Sequence, residues 1–175
     1  GIPGTLGGAV CMNAGAYGGE MSQVVREVTA WLPGKGECRM SLKELTLSYR
    51  HSYFTDHEGV VLGATIGLKT GNEADIRAQM EDLIGRRRDK QPLEYPSAGS
   101  TFKRPEGHFA GALIEQCGLK GVSVGGAQVS EKHAGFVINT GGATCADVLA
   151  LIEKIQRTVL AETGVSLEPE IKVTR

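Results

Sequence analysis

Glycine makes up 25 of the 175 residues, and its clustering constrains the fold more than any other feature of the sequence. The clusters lie near the N-terminus and again after residue 120: Gly1, Gly4, Gly7, Gly8, Gly15, Gly18, Gly19, Gly125, Gly126, Gly141 and Gly142. Glycine reaches positive φ angles without a steric penalty and lets the backbone approach a ligand closely. We therefore expect either positive-φ turns or ligand-contacting backbone at these positions.

The first nineteen residues form the densest of these clusters. Their glycine spacing differs from the Gly-x-Gly-x-x-Gly fingerprint of dinucleotide-binding folds. Successive backbone N–H groups leading into a turn of helix would still suit an anion such as a pyrophosphate. A glycine-rich linker is the alternative, but Ile2, Leu6 and Val10 recur at helical spacing, which is not typical of a solvated linker. The segment is therefore interpreted as an anion-binding nest.

Composition narrows the classes of function. The hydrophobic content of 41% and charged content of 22% are typical of a soluble globular protein. A net charge of −1 gives no general attraction to nucleic acid or to an anionic membrane, and 5% aromatic residues argue against base-stacking platforms. We find no membrane-spanning apolar run and no leader pattern. The cysteines lack zinc-site spacing and are expected to be small buried residues in a reducing cytoplasm, although a disulfide stays open: Cys11, Cys38, Cys117 and Cys145.

Hydrophobic periodicity predicts an α+β fold in two parts, residues 1–71 and 72–175. Strands are expected over residues 24–32, 60–68, 122–129, 135–139 and 165–173. A helical turn is expected at residues 41–44, and longer helices over residues 72–90, 109–118 and 144–164. The residue 72–90 helix carries an apolar stripe that includes Ile76 and Met80, and the last helix carries one that includes Ile152 and Val159.

Two segments carry candidate chemistry. Residues 95–105, with the sequence YPSAGSTFKRP, have prolines on both sides of small residues, which favours a loop or short strand over a helix. There Ser100 lies close to the positive charge of Lys103, although a simple turn is the alternative. In residues 48–54, Arg50 and His51 could hold a carboxylate or phosphate, because a guanidinium matches such groups; a surface arginine is the alternative.

These segments belong to an ordered set of motifs. The set comprises residues 1–9 (GIPGTLGGA) with 13–18 (NAGAYG), 49–52 (YRHS), 97–103 (SAGSTFK), 118–121 (GLKG), 125–130 (GGAQVS) and 168–172 (EPEIK). Over essentially all 175 residues the chain resembles the UDP-N-acetylenolpyruvoylglucosamine reductases, also called UDP-N-acetylmuramate dehydrogenases, of bacterial peptidoglycan synthesis. Any one motif is weak evidence, whereas six in this order are specific.

The resemblance implies an FAD flavoenzyme that uses NADPH to reduce the enolpyruvyl ether of a UDP-sugar to a lactyl ether. Residues 1–71 would be part of an FAD-binding domain, the second lobe of the vanillyl-alcohol-oxidase type. Residues 72–175 would form an α+β substrate-binding domain, with the last strand, residues 165–175, returning to the active site. The implied partners are the UDP-sugar and NADPH, with no nucleic acid and no membrane, and the oligomeric state stays open.

The resemblance also transfers roles to single residues. Ser100 would be the proton donor, Arg50 the catalytic arginine and Glu170 the catalytic carboxylate, with Glu168 as a rival for the last role. The positions implied to bind FAD are Gly1, Ile2, Pro3, Gly4, Thr5, Gly7, Gly8, Asn13 and Gly15. The positions implied to bind substrate are Tyr17, Lys90, Lys103 and Arg104. No metal site is implied.

Two departures from the family pattern bear on these roles. Arg104 stands where many relatives are expected to have asparagine, and relatives are expected to carry a further FAD-binding lobe upstream of residue 1. An inserted segment with a second substrate tyrosine is not found, which indicates the shorter subtype. Two other functions stay open: a related FAD-dependent sugar or alcohol oxidase, and a non-catalytic UDP-sugar-binding module.

Overall fold

The computed structural model describes residue 2 and residues 4–174, which divide into two compact units, residues 1–84 and 85–175. Both units combine helices with antiparallel strands, which confirms the α+β class. The division falls inside a helix that runs from Glu73 to Lys90. The prediction that FAD-binding and substrate-binding domains meet near residue 71 concerns function and stays a prediction.

The first unit is built around a three-stranded antiparallel sheet. Its elements before the boundary helix are α1 (Leu6–Cys11), β1 (Gly15–Ala16), β2 (Gly19–Glu20), β3 (Val25–Leu32), β4 (Gly36–Ser41), α2 (Leu42–Leu45), α3 (Tyr53–Asp56) and β5 (Val60–Ile66). The sheet has the order β4-β3-β5, and β1 and β2 form a separate hairpin. A capping box between Ser41 and Glu44 begins α2, as the sequence predicts.

Side-chain alternation on β3 buries Val28, Ala30 and Leu32 in the core of this unit. On β5, by contrast, the prediction that Leu62, Ala64, Ile66 and Leu68 share one face is wrong, because Ala64 packs against the core whereas Leu62 is exposed. A bulge explains the change of phase, since Thr29 pairs with Gly63 but Ala30 pairs with Val61. One extra residue in a strand shifts every later side chain to the opposite face.

Helix α2 ends at Thr46, whose φ of 47° lies in the left-handed region. A β-branched residue is strained there, whereas glycine is not. Thr46→Gly is therefore expected to raise the free energy of unfolding by about 0.5–1 kcal/mol. Urea unfolding followed by the fluorescence of Trp31 measures this change in the first unit. Thr46→Ala, which keeps the Cβ atom, is the control, and an equal gain from alanine would contradict the argument.

The second unit contains a four-stranded antiparallel sheet covered by helices. The boundary helix is α4 (Glu73–Lys90), and it is followed by β6 (Ser97–Ser100), α5 (Ala110–Gln116), β7 (Ser123–Val124), β8 (Ala127–Val129), β9 (Phe136–Asn139) and α6 (Cys145–Thr163). The strand order is β6-β9-β8-β7. Helix α6 matches the sequence prediction closely, with a capping box between Thr144 and Asp147 and an end at Gly164, φ 73°.

Two predicted strands of this unit are wrong in detail. Residues 122–129 form a hairpin, β7 and β8, in which the backbone turns at Gly125, φ 54°. A Cβ atom on Gly126 would lie 2.5 Å from the backbone nitrogen of Ala143, so this glycine permits close packing of the turn. The chain after residue 164 forms a single bridge between Phe102 and Pro169 in place of a strand. Proline has no N–H to donate, which limits the pairing there.

The burial of one predicted apolar stripe is now defined, and the predicted burial of the cysteines is corrected. The apolar stripe on α4 is exposed, with Ile76, Met80 and Ile84 all at least 40% accessible. The four cysteines are not fully buried, because three are half-buried and Cys145 is exposed; each is a free thiol. Within the described residues, no helix has both the length and the apolar character needed to cross a membrane.

Candidate functional site

The glycine segment begins with exposed backbone. Thr5 caps α1, its hydroxyl oxygen accepting a hydrogen bond from the Gly8 N–H at 3.1 Å. Gly4 has a φ of 152°, and a Cβ atom there would meet nothing within 4 Å. Gly7 instead lies beside Val61. Of the predicted FAD positions, Gly1 and Pro3 lie outside the described residues, whereas Ile2, at 48% accessibility, is exposed.

The next glycines form the β1–β2 hairpin. Tyr17 and Gly18, at φ angles of 52° and 80°, are its two loop residues, which is the pattern of a type I′ turn. Tyr17, a predicted substrate-binding residue, is 51% exposed at the tip. Gly15 pairs with Glu20 across the strands.

Arg50 lies on a tight turn closed by reciprocal backbone hydrogen bonds between Ser48 and His51, each of 3.1 Å. Its φ of 54° is unusual for a residue with a long side chain. The guanidinium Nη2 donates to the Gly15 carbonyl at 3.1 Å, and its carbon lies 5.0 Å from the centre of the Tyr49 ring. Strained backbone of this kind is concentrated at functional sites.

Asn13 ties the glycine segment to this turn. It is completely buried, with a φ of 42°. Its amide nitrogen donates to the Ser48 carbonyl at 2.9 Å, and its amide oxygen accepts from the Ser22 N–H at 2.8 Å. Ser52, also buried, donates its hydroxyl to the Cys11 carbonyl at 2.7 Å. These hydrogen bonds hold the Arg50 turn against the end of α1.

In the second unit, Ser100 ends β6 just after a bulge. Ser97 pairs with Ile138 and Ser100 with Phe136, so three residue steps on β6 oppose two on β9. Gly99 allows this irregularity with a φ of 88°. The Ser100 side chain is exposed, and its hydroxyl lies 3.4 Å from the Phe102 carbonyl. The segment expected to be a loop or a short strand is therefore a short strand. Its bulge changes the orientation of Ser100 relative to a regular strand.

Thr101 connects this strand to the tail of the chain. Its buried hydroxyl accepts from the Val137 N–H at 3.0 Å, which fixes it to β9. Its carbonyl accepts from the Glu170 N–H at 2.8 Å. Glu170 is half-buried. This hydrogen bond brings Glu170 next to Thr101, the residue that follows Ser100. Ser100 and Glu170 are thus neighbours in the fold although they lie 70 positions apart in sequence.

The charged residues that follow have partners. Lys103 pairs with the Glu168 carboxylate at 2.5 Å, and its N–H donates to the Glu168 carbonyl at 2.9 Å. The Arg104 guanidinium lies 4.0 Å from the centre of the exposed Phe109 ring. Glu168 thus forms an ion pair with Lys103, a role that the sequence does not suggest.

Lys90 ends α4 and is exposed. Lys132 donates to the Arg88 carbonyl at 3.0 Å in the same turn. Nearby, His133 is half-buried, and its Nδ1 accepts from the Gly135 N–H at 3.1 Å. Burial lowers the pKa of His133 from its ordinary value, and the positive charges of Lys120 and Lys90 contribute in the same direction.

This shift predicts a pH dependence of stability. Because the folded-state pKa of His133 is below the unfolded value, the unfolded chain binds more protons as the pH falls through about 6.5. The stability contribution of neutral His133 is therefore present above that pH and is lost below it. His133→Asn keeps an acceptor for Gly135 and should flatten the loss of protection between pH 7.5 and 5. Hydrogen exchange of α6 amides measures it; the exposed His108→Asn control should retain the wild-type slope.

Comparisons with known proteins give this geometry a context. Residues 91–174 match the family described as "UDP-N-acetylenolpyruvoylglucosamine reductase, C-terminal domain". A relative of that name from Caldanaerobacter subterraneus is 57% identical over 173 residues, which are 99% of this chain and 57% of the relative. Residues 91–174 therefore belong to the C-terminal domain of this reductase family, and the chain is similar to the reductases over nearly all of its length. The resemblance drawn from the six motifs is confirmed.

Two further members of the reductase family agree. The Agathobacter rectalis reductase is 56% identical over 99% of this chain and 55% of its own length. The crystal structure of the Thermus caldophilus reductase superposes with a TM-score of 0.84 at 36% identity, covering 99% of this chain and 61% of that one. The chain thus spans between half and two thirds of the length of these relatives.

Motif reading alone missed some residues around the site. Buried Asn13 is named by its motif, but its hydrogen bonds to Ser22 and Ser48 are not. Through the register of the β1–β2 hairpin, Glu20 comes close enough to Arg50 for the positive charge to lower the pKa of Glu20. The signal that could have found it is the glycine after Tyr17, since a two-residue turn at that point pairs position 15 with position 20.

Proposed function

We propose that this chain is part of an NADPH-dependent flavoenzyme that reduces UDP-N-acetylglucosamine enolpyruvate to UDP-N-acetylmuramate. The reaction supplies a peptidoglycan precursor and would take place in the cytoplasm. The observation that carries the proposal is the hydrogen bond from the Glu170 N–H to the carbonyl of Thr101, the residue next to Ser100. The relatives at 56–57% identity are named for this reductase activity.

The proposed cofactor is FAD, with residues 1–71 as part of its binding domain and residues 72–175 binding the substrate. The exposed backbone at Gly4, with open space where a side chain would lie, supports the approach of a pyrophosphate. Thr5 and Gly8 shape the helix start beside it. FAD held there would supply the chemistry for hydride transfer from NADPH to the terminal vinyl carbon of the substrate.

Arg50 would stabilise the charge that develops in this step. As the carbon–carbon double bond receives hydride at one end, its electron pair moves toward the adjacent carboxylate, which becomes an enolate. A guanidinium held beside that carboxylate lowers the energy of the transition state. The strained backbone of Arg50 and its hydrogen bond to Gly15 support a role that requires fixed orientation.

Ser100 would then donate its hydroxyl proton to the α-carbon, completing the saturated lactyl ether. Serine is a weak acid, so this transfer requires a strongly basic carbon centre and a site that excludes water. The bulge that re-aims Ser100 supports this role. Glu170 would hydrogen-bond to the developing enol. Glu168 is less suited, because its carboxylate is already paired with Lys103.

The remaining cations would bind the UDP-sugar. Its diphosphate carries negative charge, and Lys103, Arg104 and Lys90 lie on exposed or half-exposed surface of the second unit. Tyr17, exposed at the hairpin tip, would add an aromatic contact.

The test uses a chimaera in which this chain replaces the matching residues of the Caldanaerobacter relative, which supplies the length that the chain does not span. We expect NADPH consumption that requires both FAD and the enolpyruvyl UDP-sugar. The unmodified relative is the positive control. Turnover that is no faster with the UDP-sugar would overturn the proposal. Peroxide release with another sugar or alcohol would indicate an oxidase, and UDP-sugar binding without turnover would indicate a binding module.

The choice between the two glutamates gives a separate prediction. In the chimaera, Glu170→Gln is expected to slow substrate reduction by about 10²-fold, because the enol loses a charged partner. Glu168→Gln should leave that step within about threefold and raise the KM through Lys103. Stopped-flow reoxidation of reduced flavin measures both. The reverse order of effects would assign the catalytic role to Glu168.

A further inference from the structure

Glu20 and Arg50 both lie beside Gly15 of the β1–β2 hairpin. The hairpin register pairs Glu20 with Gly15, and the Gly15 carbonyl accepts the hydrogen bond of 3.1 Å from Arg50 Nη2. We infer that Glu20 is a positioning residue, whose carboxylate orients the guanidinium of Arg50 for the carboxylate of the substrate. This inference rests on the catalytic role proposed for Arg50.

The Glu20 carboxylate is itself held in place. The Ser22 hydroxyl donates a hydrogen bond to it. This hydrogen bond is the main cause that lowers the pKa of Glu20, and the Asn13 side chain and the charge of Arg50 act in the same direction. Glu20 is therefore ionised at neutral pH and is close enough to Arg50 to feel its charge.

Gly15 makes this approach possible. A Cβ atom on Gly15 would lie 2.7 Å from the Cβ of Glu20 and 2.8 Å from the Gly19 carbonyl oxygen. Any side chain at position 15 would force the two strands apart. The absence of one lets the carbonyl that binds Arg50 and the carboxylate of Glu20 occupy neighbouring positions on one narrow hairpin.

The arrangement has a physical purpose. An arginine side chain loses conformational freedom when it is fixed, which has an entropic cost. A carbonyl and a carboxylate on one hairpin offset part of that cost before substrate arrives. A guanidinium carries five N–H donors in a planar fork, so one side can be held by protein while another binds a substrate carboxylate. Buried Asn13 holds both Ser22, which donates to the Glu20 carboxylate, and Ser48, which belongs to the Arg50 turn.

The experiment compares Glu20→Gln with Glu44→Gln in the chimaera. Glu44 is a matched control, since hydrogen bonds from Ser41 also lower its pKa and both glutamates take part in a capping box, but only the pKa of Glu20 is lowered by Arg50. For Glu20→Gln we expect kcat/KM for the enolpyruvyl UDP-sugar to fall roughly tenfold to a hundredfold, with NADPH reduction of the flavin unchanged. Glu20→Asp should recover part of the loss. Glu44→Gln should leave both half-reactions within about twofold.

A double-mutant cycle separates positioning from general loss of structure. In an Arg50→Lys background, Glu20→Gln is expected to cause no further fall in kcat/KM, because the group that it orients is already gone. A further tenfold fall there, or equal slowing of both half-reactions by Glu20→Gln alone, would overturn the inference.

A second readout does not depend on the proposed reaction. If Glu20 orients Arg50, the melting temperatures of this chain should be non-additive by about 2–4 °C in the same cycle. Additive melting temperatures would overturn the contact itself. A wild-type chimaera that fails to turn over would instead refute the proposed function, while the melting cycle would still decide whether Glu20 and Arg50 interact.

Discussion

Replacing Ser100 by alanine is expected to slow the reduction of the enolpyruvyl UDP-sugar by about 10²–10⁴-fold, the usual contribution of a positioned proton donor. Reduction of the flavin by NADPH should stay within about twofold of wild type, since that half-reaction needs no proton at the substrate α-carbon. The structural cost should be small, because the Ser100 side chain is exposed and its one described hydrogen bond is long, at 3.4 Å.

The measurement follows flavin absorbance after mixing NADPH-reduced chimaera with the enolpyruvyl UDP-sugar in the absence of oxygen. Ser97→Ala is the matched control, since Ser97 lies on the same short strand, on the other side of the bulge, and is also exposed. It should reoxidise within about threefold of wild type. Ser100→Cys should restore part of the rate, because a thiol also carries a proton that it can donate.

Two results would contradict this assignment. Equal slowing of both half-reactions by Ser100→Ala would mean that the serine supports the flavin site rather than delivering a proton. An equal defect in Ser97→Ala would mean that the strand as a whole, and not one hydroxyl, matters. In either case the bulge at Gly99 would need another explanation than the aiming of Ser100.

The helix ends were predictable because their signals are local. The spacing of Ser41 and Glu44, and of Thr144 and Asp147, is sufficient to identify the two capping boxes, and the structure has both. The apolar stripe of α6 was equally predictable, since Ile152, Ile155 and Val159 recur at helical spacing. The structure buries all three side chains. In these cases the hydrogen bonds and packing depend on residues only three or four positions apart.

The sheet details were not predictable for the opposite reason. The bulge beside Thr29 depends on how β3 pairs with β5 more than 30 residues later, and it decides which β5 side chains face the core. The tail could be recognised as extended, but its pairing with Thr101 and Lys103 is set by the rest of the unit. The stripe on α4 shows a further limit, because periodicity identifies an apolar face without saying what covers it.

The residues of the candidate site also divide into those that local sequence identifies and those that only the fold reveals. Arg50, Ser100 and Glu170 were identified by their motifs and stay predictions as catalytic residues. Their supports, Glu20 and the hydrogen bonds of Asn13, emerge only from hairpin register and burial. A motif names residues that contact a ligand, whereas the residues that hold them depend on three-dimensional contacts.

Asn13→Ala is expected to lower the free energy of unfolding by about 2–4 kcal/mol, the largest stability change that we predict for the first unit. The hydrogen bonds of the Asn13 side-chain amide to Ser22 and Ser48 would be lost. A buried backbone group that is left without its hydrogen-bond partner costs about 1–3 kcal/mol. Alanine at a φ of 42° adds about 1 kcal/mol, because asparagine tolerates the left-handed region better.

Urea unfolding followed by Trp31 fluorescence measures the loss, and two variants divide it into its causes. Asn13→Gly removes the amide without the backbone strain, so it should be more stable than Asn13→Ala by about 1 kcal/mol. Asn72→Ala removes an exposed cap of α4, where Asn72 accepts from the Ala74 N–H at 2.9 Å, and should cost only about 1 kcal/mol. If Asn13→Ala cost no more than that control, the buried amide would not be what holds the Arg50 turn. A full loss would mean that the support of Arg50 is part of the core itself, so that stability and the orientation of the guanidinium change together.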